Sequence, residues 1–112
     1  MDFSKIKYTK LGNGEPLIFL HGVWNHSGTY IKLIKEFSNF YTVYALDLPG
    51  FGRSLTPEKP LSFEEYAEFL SGFVETLGLN KITLVGHSGS GGVAIVFASS
   101  FSKQLDKLFL ID

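Results

Sequence analysis

The sequence predicts an α/β fold with a mostly parallel sheet and helices on both faces. Residues 17–20 are wholly apolar, and residues 81–85 are rich in β-formers, so both segments read as strands covered on both faces. Segments with helical spacing of apolar side chains alternate with the strands, without a linker or a repeat between them. Glycine-bearing turns follow several of the strands, as an alternating arrangement requires.

The first half of the chain contains three β segments and one helix. Residues 5–11 alternate loosely and end at a Gly-Asn-Gly turn, which predicts an outer strand. A buried strand at residues 17–20 is followed by helical spacing over residues 27–40. Residues 41–46 are again rich in β-formers and stop at an Asp-Leu-Pro-Gly turn.

The second half repeats the alternation. Ser62 and Glu65 match a capping box, so a helix is expected to begin there and to end before Gly78. Residues 81–85 predict a buried strand, residues 86–92 a glycine-rich turn and residues 93–101 a buried helix. A last parallel strand is expected at residues 108–111.

Composition narrows the class of protein. At 112 residues and 45% hydrophobic content, we expect one domain over residues 1–112. The net charge of −1 favours neither nucleic acid nor an anionic membrane as a partner. There is no cysteine for a disulfide or a thiolate metal site, and the three histidines lie on separate turns. With no signal sequence or membrane span apparent, we expect a soluble, cytoplasmic protein without a metal or a cofactor.

Three polar turns are expected to meet at one edge of the sheet. Residues 21–27, 47–54 and 86–92 each follow a predicted parallel strand. Ligands of open parallel sheets bind outside the carboxyl ends of the strands. A need for small residues at strand-to-helix turns explains the glycines of these segments, but not the polar residues beside them.

The third turn carries the strongest chemical signal. Ser88 lies where a predicted strand passes directly into a helix, and such a turn forces its backbone into a strained conformation that exposes the hydroxyl. Very small residues are needed two positions before and after it, and Gly86 and Ser90 meet this need. The N-terminus of the following helix would present backbone N–H groups to developing negative charge.

These turns resemble those of a known family. Gly86-His87-Ser88 resembles the nucleophile elbow of the α/β-hydrolases, and Leu20-His21-Gly22-Val23 is similar to their oxyanion loop. Residues 47–54, Asp-Leu-Pro-Gly-Phe-Gly-Arg-Ser, match a loop common in that superfamily. The motifs occur in family order over nearly the whole chain. The resemblance therefore implies the N-terminal, nucleophile-bearing part of an α/β-hydrolase fold, truncated before the lid and the C-terminal part.

The resemblance also assigns roles. It implies that Ser88 attacks a small-molecule acyl substrate, such as an ester, and that the backbone N–H groups of Val23 and Gly89 form the oxyanion hole. The loops are supported by five further residues: His21, Gly22, Gly86, His87 and Ser90. A serine at the nucleophile position argues against dehalogenases and epoxide hydrolases, which resemble this fold but use a carboxylate there.

Some assignments have alternatives. The usual G-x-S-x-G motif has glycine where this chain has Ser90, and Ser90 could itself be the nucleophile. His21 is expected to organise its loop rather than act as a base, and His87 to pack beside the elbow. Trp24 and Tyr30 would line the mouth of a pocket or serve as ordinary packing.

The family order of nucleophile, acid and histidine is incomplete in this chain. No histidine follows Ser88, and Asp112 is a weak candidate for the acid, because a polar residue at a strand end is the simpler explanation of its position. A catalytically inactive, truncated binding or interaction module is therefore the alternative function. A phosphate-binding domain is disfavoured, because neither phosphate-loop fingerprint is present. The apolar edge at residues 108–111 predicts self-association or pairing with a complementing C-terminal segment.

Overall fold

A computed structural model describes residues 3–21, 30–50, 54 and 56–111 of the chain. The strands are β1 (Tyr8–Gly12), β2 (Pro16–Leu20), β3 (Thr42–Leu46), β4 (Ile82–His87) and β5 (Leu105–Ile111). The α-helices are α1 (Ile31–Phe37), α2 (Phe63–Thr76) and α3 (Ser90–Ser100), and 3-10 helices span Phe3–Lys5 and Ser102–Gln104. Within the described ranges, no helix has the length and apolar character needed to cross a membrane.

The strands form one sheet in the order β1-β3-β2-β4-β5. β2, β3, β4 and β5 run parallel, while β1 pairs antiparallel with β3 at one edge. The prediction of a mostly parallel sheet with an outer first strand is therefore confirmed. Because parallel strands point the same way, the turns after β2, β3 and β4 begin at the same edge of the sheet.

Helices cover both faces of the sheet, as the alternation predicted. On β2, Leu17 and Phe19 point to one face, whereas Ile18 and Leu20 point to the other, in the two-residue period of a strand. The first face packs against α1 through the buried Ile34. The second packs against α2 and α3 and holds the larger core. Burial on both faces explains why the central strands are apolar without interruption.

The boundaries of α2 follow the predicted signals. The backbone N–H of Glu65 donates to the Ser62 hydroxyl at 3.1 Å, and the Ser62 N–H donates to the Glu65 carboxylate at 3.0 Å, which confirms the capping box. The helix ends before Gly78, whose φ of 73° is the left-handed conformation that glycine adopts readily. The apolar side chains of α2 are buried from Phe69 to Val74, but Phe63 lies beyond the core and is 50% exposed.

Other boundaries differ from the predictions. The chain between β4 and α3 is shorter than the glycine-rich segment suggested, because β4 continues to His87 and α3 already begins at Ser90. α3 is also only partly buried, since Ile95 is 53% exposed on the side away from the sheet. α1 is described from Ile31 to Phe37 rather than over residues 27–40. β5 begins at Leu105 and lies at the sheet edge, as expected of a last strand.

Candidate active site

Ser88 has the strained backbone that its position predicted. Its φ of 55° is the one positive value at a non-glycine residue among the residues described. For an L-residue, this conformation costs about 1–2 kcal/mol, so the surrounding structure must hold it in place. The Ser88 N–H donates to the Ile111 carbonyl at 2.8 Å, and the Ser88 carbonyl accepts from the Gly91 N–H at 2.9 Å. Ser88 is thus held by one backbone hydrogen bond to strand β5 and by another to the first turn of α3.

Gly86 allows the turn to be this tight. A Cβ atom at Gly86 would lie 3.0 Å from the Cβ of Ala94 and 3.0 Å from the carbonyl oxygen of Ser90. Both distances are shorter than ordinary van der Waals contacts. The prediction that small residues are needed two positions before the serine is therefore confirmed at Gly86.

Gly89 stands at the N-cap of α3. The N–H groups of Gly91 and Gly92 donate to the carbonyls of Ser88 and Gly89, at 2.9 and 3.2 Å. Among the turn and loop backbone hydrogen bonds of the described residues, none uses the Gly89 N–H. A helix N-terminus carries a partial positive charge, so this N–H can stabilise an anion beside Ser88. The other predicted donor, Val23, lies outside the described residues, as do Gly22, Trp24 and Asp112.

His21 connects the turns at this edge of the sheet. The side chain is fully buried, and its Nε2 accepts a hydrogen bond from the Leu48 N–H at 3.2 Å. A nitrogen that accepts in this way carries no proton, so the ring is the neutral Nδ1–H tautomer. The backbone carbonyl of His21 accepts from the Ser90 hydroxyl. One residue therefore contacts both the turn after β3 and the elbow.

His87 is engaged on the α1 side of the sheet. Its Nδ1 lies 3.0 Å from the hydroxyl oxygen of Tyr30, and the two ring centroids are 4.9 Å apart. The Tyr30 ring also contacts Phe19, at a centroid distance of 5.4 Å. Tyr30 thus packs beside the elbow and is not among the described residues that line the cavity reported below.

The turn after β3 is held by hydrogen bonds to its backbone. The Ser54 hydroxyl donates to the Asp47 carbonyl and accepts from the Lys7 N–H, the latter at 2.9 Å. The Tyr66 hydroxyl donates to the Pro49 carbonyl at 2.9 Å, and burial raises the pKa of this phenol above its ordinary value of 10.0. The phenol therefore remains protonated, as a donor must, at neutral pH.

A cavity of about 430 Å³ opens beside Gly89 and Ser90. This volume lies in the range typical of small-molecule sites. Its apolar wall consists of Leu48, Pro49, Pro57, Leu61, Phe63 and Val93. Residues 57–60, which carry no catalytic motif in the sequence, contribute to this wall. The two prolines were the signal, because they restrict the backbone and offer apolar surface.

The family follows from comparison with known proteins. A sequence model of the alpha/beta hydrolase fold matches residues 15–112. The chain belongs to this family. The α/β-hydrolase fold that the motifs implied is therefore confirmed. The match to the family model agrees with the observed strand order and with the strained backbone of Ser88.

Individual known proteins are similar over most of this chain. An uncharacterized protein of Mycobacterium bovis is 34% identical over 100 residues, which cover 89% of this chain and 29% of that protein. A soluble epoxide hydrolase of Corynebacterium sp. is 32% identical, over 96% of this chain and 38% of the enzyme. The solved structure of a marine microorganism esterase has a TM-score of 0.89 at 31% identity, covering 95% of this chain and 41% of that chain. The chain thus spans less than half the length of each.

Proposed function

We propose that this chain is the core segment of a serine hydrolase that cleaves an ester or a related acyl bond, with Ser88 as the nucleophile. The observation that carries the proposal is the φ of 55° at Ser88, between a parallel strand and a helix N-terminus. Strained non-glycine residues are concentrated at functional sites, where the surrounding structure holds them in place. Ser90, the alternative nucleophile, is 2% exposed and donates its hydroxyl to His21, which disfavours that role.

In the proposed reaction, the Ser88 Oγ attacks the substrate carbonyl carbon and forms a C–O bond. The carbonyl π pair moves to oxygen, and the N–H groups of Gly89 and Val23 donate to this oxyanion. Removing one such donor typically costs about 3–4 kcal/mol of barrier. Collapse of the tetrahedral intermediate breaks the bond to the leaving alcohol, and water then hydrolyses the acyl-enzyme.

The proton of Ser88 needs a base, which we propose lies outside this chain. No histidine follows Ser88 in the sequence, and the neutral His21 holds the Leu48 N–H with its Nε2. Asp112, which follows β5, remains the candidate acid. The 112 residues are therefore proposed to supply the nucleophile and the oxyanion hole and to need further residues for full activity.

The cavity supports an apolar substituent on the substrate. It adjoins Gly89, so a carbonyl oxygen held by the Gly89 N–H would place a neighbouring alkyl or aryl group against Leu61, Phe63 and Val93. The similarity to an epoxide hydrolase concerns the shared framework. Serine at the nucleophile position supports acyl transfer over opening of an epoxide by a carboxylate.

A thiol variant tests the nucleophile without requiring the base. The chain contains no cysteine, so S88C carries a single thiol. Acylation by p-nitrophenyl butyrate passes through an oxyanion, whereas alkylation by iodoacetamide does not. Both reactions need the thiolate, so the ratio of their rates reduces the effect of differences in thiol ionisation.

The matched control is S100C, at an exposed position at the end of α3. An oxyanion hole at Ser88 should raise the acylation-to-alkylation ratio of S88C at least about tenfold over that of S100C. Equal ratios in the two variants would contradict the proposal. A mass increase of one butyryl group on S88C identifies the acylated species.

The alternative is a catalytically inactive binding or interaction module. Wild type and S88A distinguish the two in a p-nitrophenyl butyrate assay of the 112-residue chain. If wild type is no faster than S88A, the chain alone is not an enzyme. A raised acylation-to-alkylation ratio in S88C would then still support an oxyanion hole beside Ser88.

We further propose that the outer edge of β5 is a pairing surface, either for a second copy or for a complementing segment. β5 is an edge strand, and Phe109 and Leu110 are 42% and 52% exposed. Unpaired edges with apolar side chains readily accept another strand. Sedimentation should show concentration-dependent association that L110K weakens, and a monomer at high concentration would contradict self-association.

A further inference from the structure

Phe63 is a large apolar side chain that lies beyond the core. It is the first residue of α2, and half of its surface is exposed. Single exposed apolar side chains are common on protein surfaces. Phe63, however, belongs to the continuous apolar wall of the cavity, together with Leu61 and Val93. Its position therefore suits a ligand in the cavity better than it suits the packing of the fold.

The ring of Phe63 packs directly on Gly92 of α3. A Cβ atom at Gly92 would lie 2.4 Å from Cε2 of Phe63, 2.8 Å from Cζ and 2.9 Å from Cδ2. These distances are far below the carbon–carbon separation of a normal contact, so a side chain at this position would displace the ring. Gly92 stands three residues after Gly89, the N-cap of α3. Residues three apart on a helix lie on the same side, so the contact holds the ring close to the elbow.

The cavity offers apolar surface without an excess of charge. Among the described residues that line it, Glu58 and Lys59 are the charged ones, and their charges are opposite. The Tyr66 hydroxyl already donates to the Pro49 carbonyl. The volume of about 430 Å³ is roughly fourteen times the share of one water molecule in the liquid. A group as small as the methyl of an acetyl group would leave most of it unfilled.

We propose that Phe63 determines specificity at this site, by selecting acyl substrates with an uncharged alkyl chain longer than that of acetate. The inference rests on the proposed function, in which Ser88 attacks the carbonyl carbon and the Gly89 N–H donates to the carbonyl oxygen. Because Gly89 lines the cavity, the chain attached to this carbonyl enters it and packs against the Phe63 ring. Each methylene that is buried strengthens such packing roughly fourfold.

Alkylation of the S88C chain tests the alkyl site independently of the oxyanion hole. The thiolate displaces iodide from iodoacetamide or from N-hexyliodoacetamide and forms a C–S bond, and the reagents differ only in the hexyl chain. The hexyl preference is the rate with N-hexyliodoacetamide divided by the rate with iodoacetamide. S88C should exceed the exposed S100C control in this preference by at least about tenfold.

Two phenylalanine variants of S88C then locate the site. F63A should lower the hexyl preference about threefold or more, because the chain loses the ring against which it packs. F40A is the matched control, since Phe40 is 76% exposed and is not among the described residues that line the cavity. F40A should leave the hexyl preference unchanged.

Two glycine variants of S88C displace the ring without removing it. G92A forces the Phe63 ring out of its present position, and the fold can tolerate this because the ring is the half-exposed end of a side chain. G91A makes the same change one residue earlier, where the described part of the chain offers a Cβ atom one ordinary contact, with Leu110 at 3.8 Å. G92A should lower the hexyl preference about threefold or more, and G91A should not. Equal effects of the two variants would refute the role of the Phe63–Gly92 contact.

Acylation applies the same comparison to the proposed reaction. The S88C thiolate takes the acyl group from p-nitrophenyl acetate or hexanoate and releases p-nitrophenolate. Relative to S100C, S88C should favour the hexanoate, and F63A should reduce this advantage. A hexanoate advantage that is the same in S88C and S100C would overturn the assignment of the alkyl site to the acyl chain.

The outcomes separate this inference from the proposed function. If S88C has no hexyl preference over S100C, or if F63A lowers it no more than F40A does, the inference is refuted and the cavity receives something other than an alkyl chain. If the hexyl preference depends on Phe63 but the acylation-to-alkylation ratio of S88C is not raised, the oxyanion hole is refuted and the alkyl site is retained. Circular dichroism verifies that each variant is folded, and G92A provides the test if F63A is not.

Discussion

The tight contact at Gly86 provides a stability test of the elbow. In G86A, the added methyl would lie 3.0 Å from both Ala94 Cβ and the Ser90 carbonyl oxygen, and 3.3 Å from Gly91 Cα. Backbone atoms cannot rotate away, so the first turn of α3 must move outward by several tenths of an ångström. Overpacking of this kind costs about 1–3 kcal/mol. The lower chain entropy of unfolded alanine offsets about 0.4–1 kcal/mol of it, which leaves a net loss.

Gly91, five residues away, is the matched control. Among the residues that the structure describes, a Cβ atom there would meet only Leu110 Cδ2, at an ordinary 3.8 Å, and the residue lies within α3. G91A should therefore stabilise the chain, because alanine is favoured over glycine in a helix by up to about 1 kcal/mol. The two variants carry the same chemical change with opposite expected signs.

The assay is urea unfolding followed by circular dichroism at 222 nm, with the slope m checked for each variant. We expect G86A and G91A to differ by about 2 kcal/mol in the free energy of unfolding, the sum of a loss of about 1 and a gain of about 1. At about 4–8 °C per kcal/mol, the melting temperatures should differ by roughly 8–16 °C. Equal stabilisation by both substitutions would refute the claim that the elbow is sterically closed at Gly86.

Three further predictions concern the framework around the site. S62A removes the hydroxyl half of the capping box and should lower the free energy of unfolding by about 1 kcal/mol; a urea midpoint equal to wild type would contradict this. The hydrogen bonds from Ser62 lower the pKa of Glu65 below its ordinary 4.5. Its carboxylate therefore stabilises the fold above that value and stops doing so as pH falls through the lowered pKa. The urea midpoints of wild type and E65Q should accordingly converge from pH 7 to pH 3. A constant difference between the two midpoints would contradict a stabilising role for the ionised Glu65 carboxylate. Phe97 is fully buried in the larger core, so F97A should cost about 3–5 kcal/mol in thermal or urea unfolding; a loss under 1 kcal/mol would mean that the core is loosely packed.

Features encoded by neighbouring residues were predictable. The capping box at Ser62 and Glu65 and the stop at Gly78 depend on hydrogen bonds within one helical turn, and both are present. The strained Ser88 follows from a short turn between a strand and a helix, for which the sequence around it provides the small residues. The limits of α3 were less predictable. Residues 86–92 are rich in glycine and were expected to form a turn, but β4 continues to His87 and α3 already begins at Ser90.

Several features of the site could not be deduced from the sequence, although some left a trace in it. The role of Ser90 as a donor to His21 was missed, and its only trace was the departure from glycine in the motif. For Tyr30 the sequence allowed a pocket mouth or ordinary packing, but it did not indicate the hydrogen bond with His87, nor that residues 57–60 line the cavity. Each hydrogen bond joins residues on different elements of the fold, so it depends on which strands become neighbours.

The sequence by itself determined the order of strands and helices, the location of the elbow and the family, because periodicity, capping and turn chemistry act over a few residues. Tertiary structure alone decided that β1 pairs antiparallel with β3, that His21 bridges two turns and that a cavity opens beside Gly89. These features arise when burial of both sheet faces selects one strand order, and that choice brings together residues tens of positions apart in the chain.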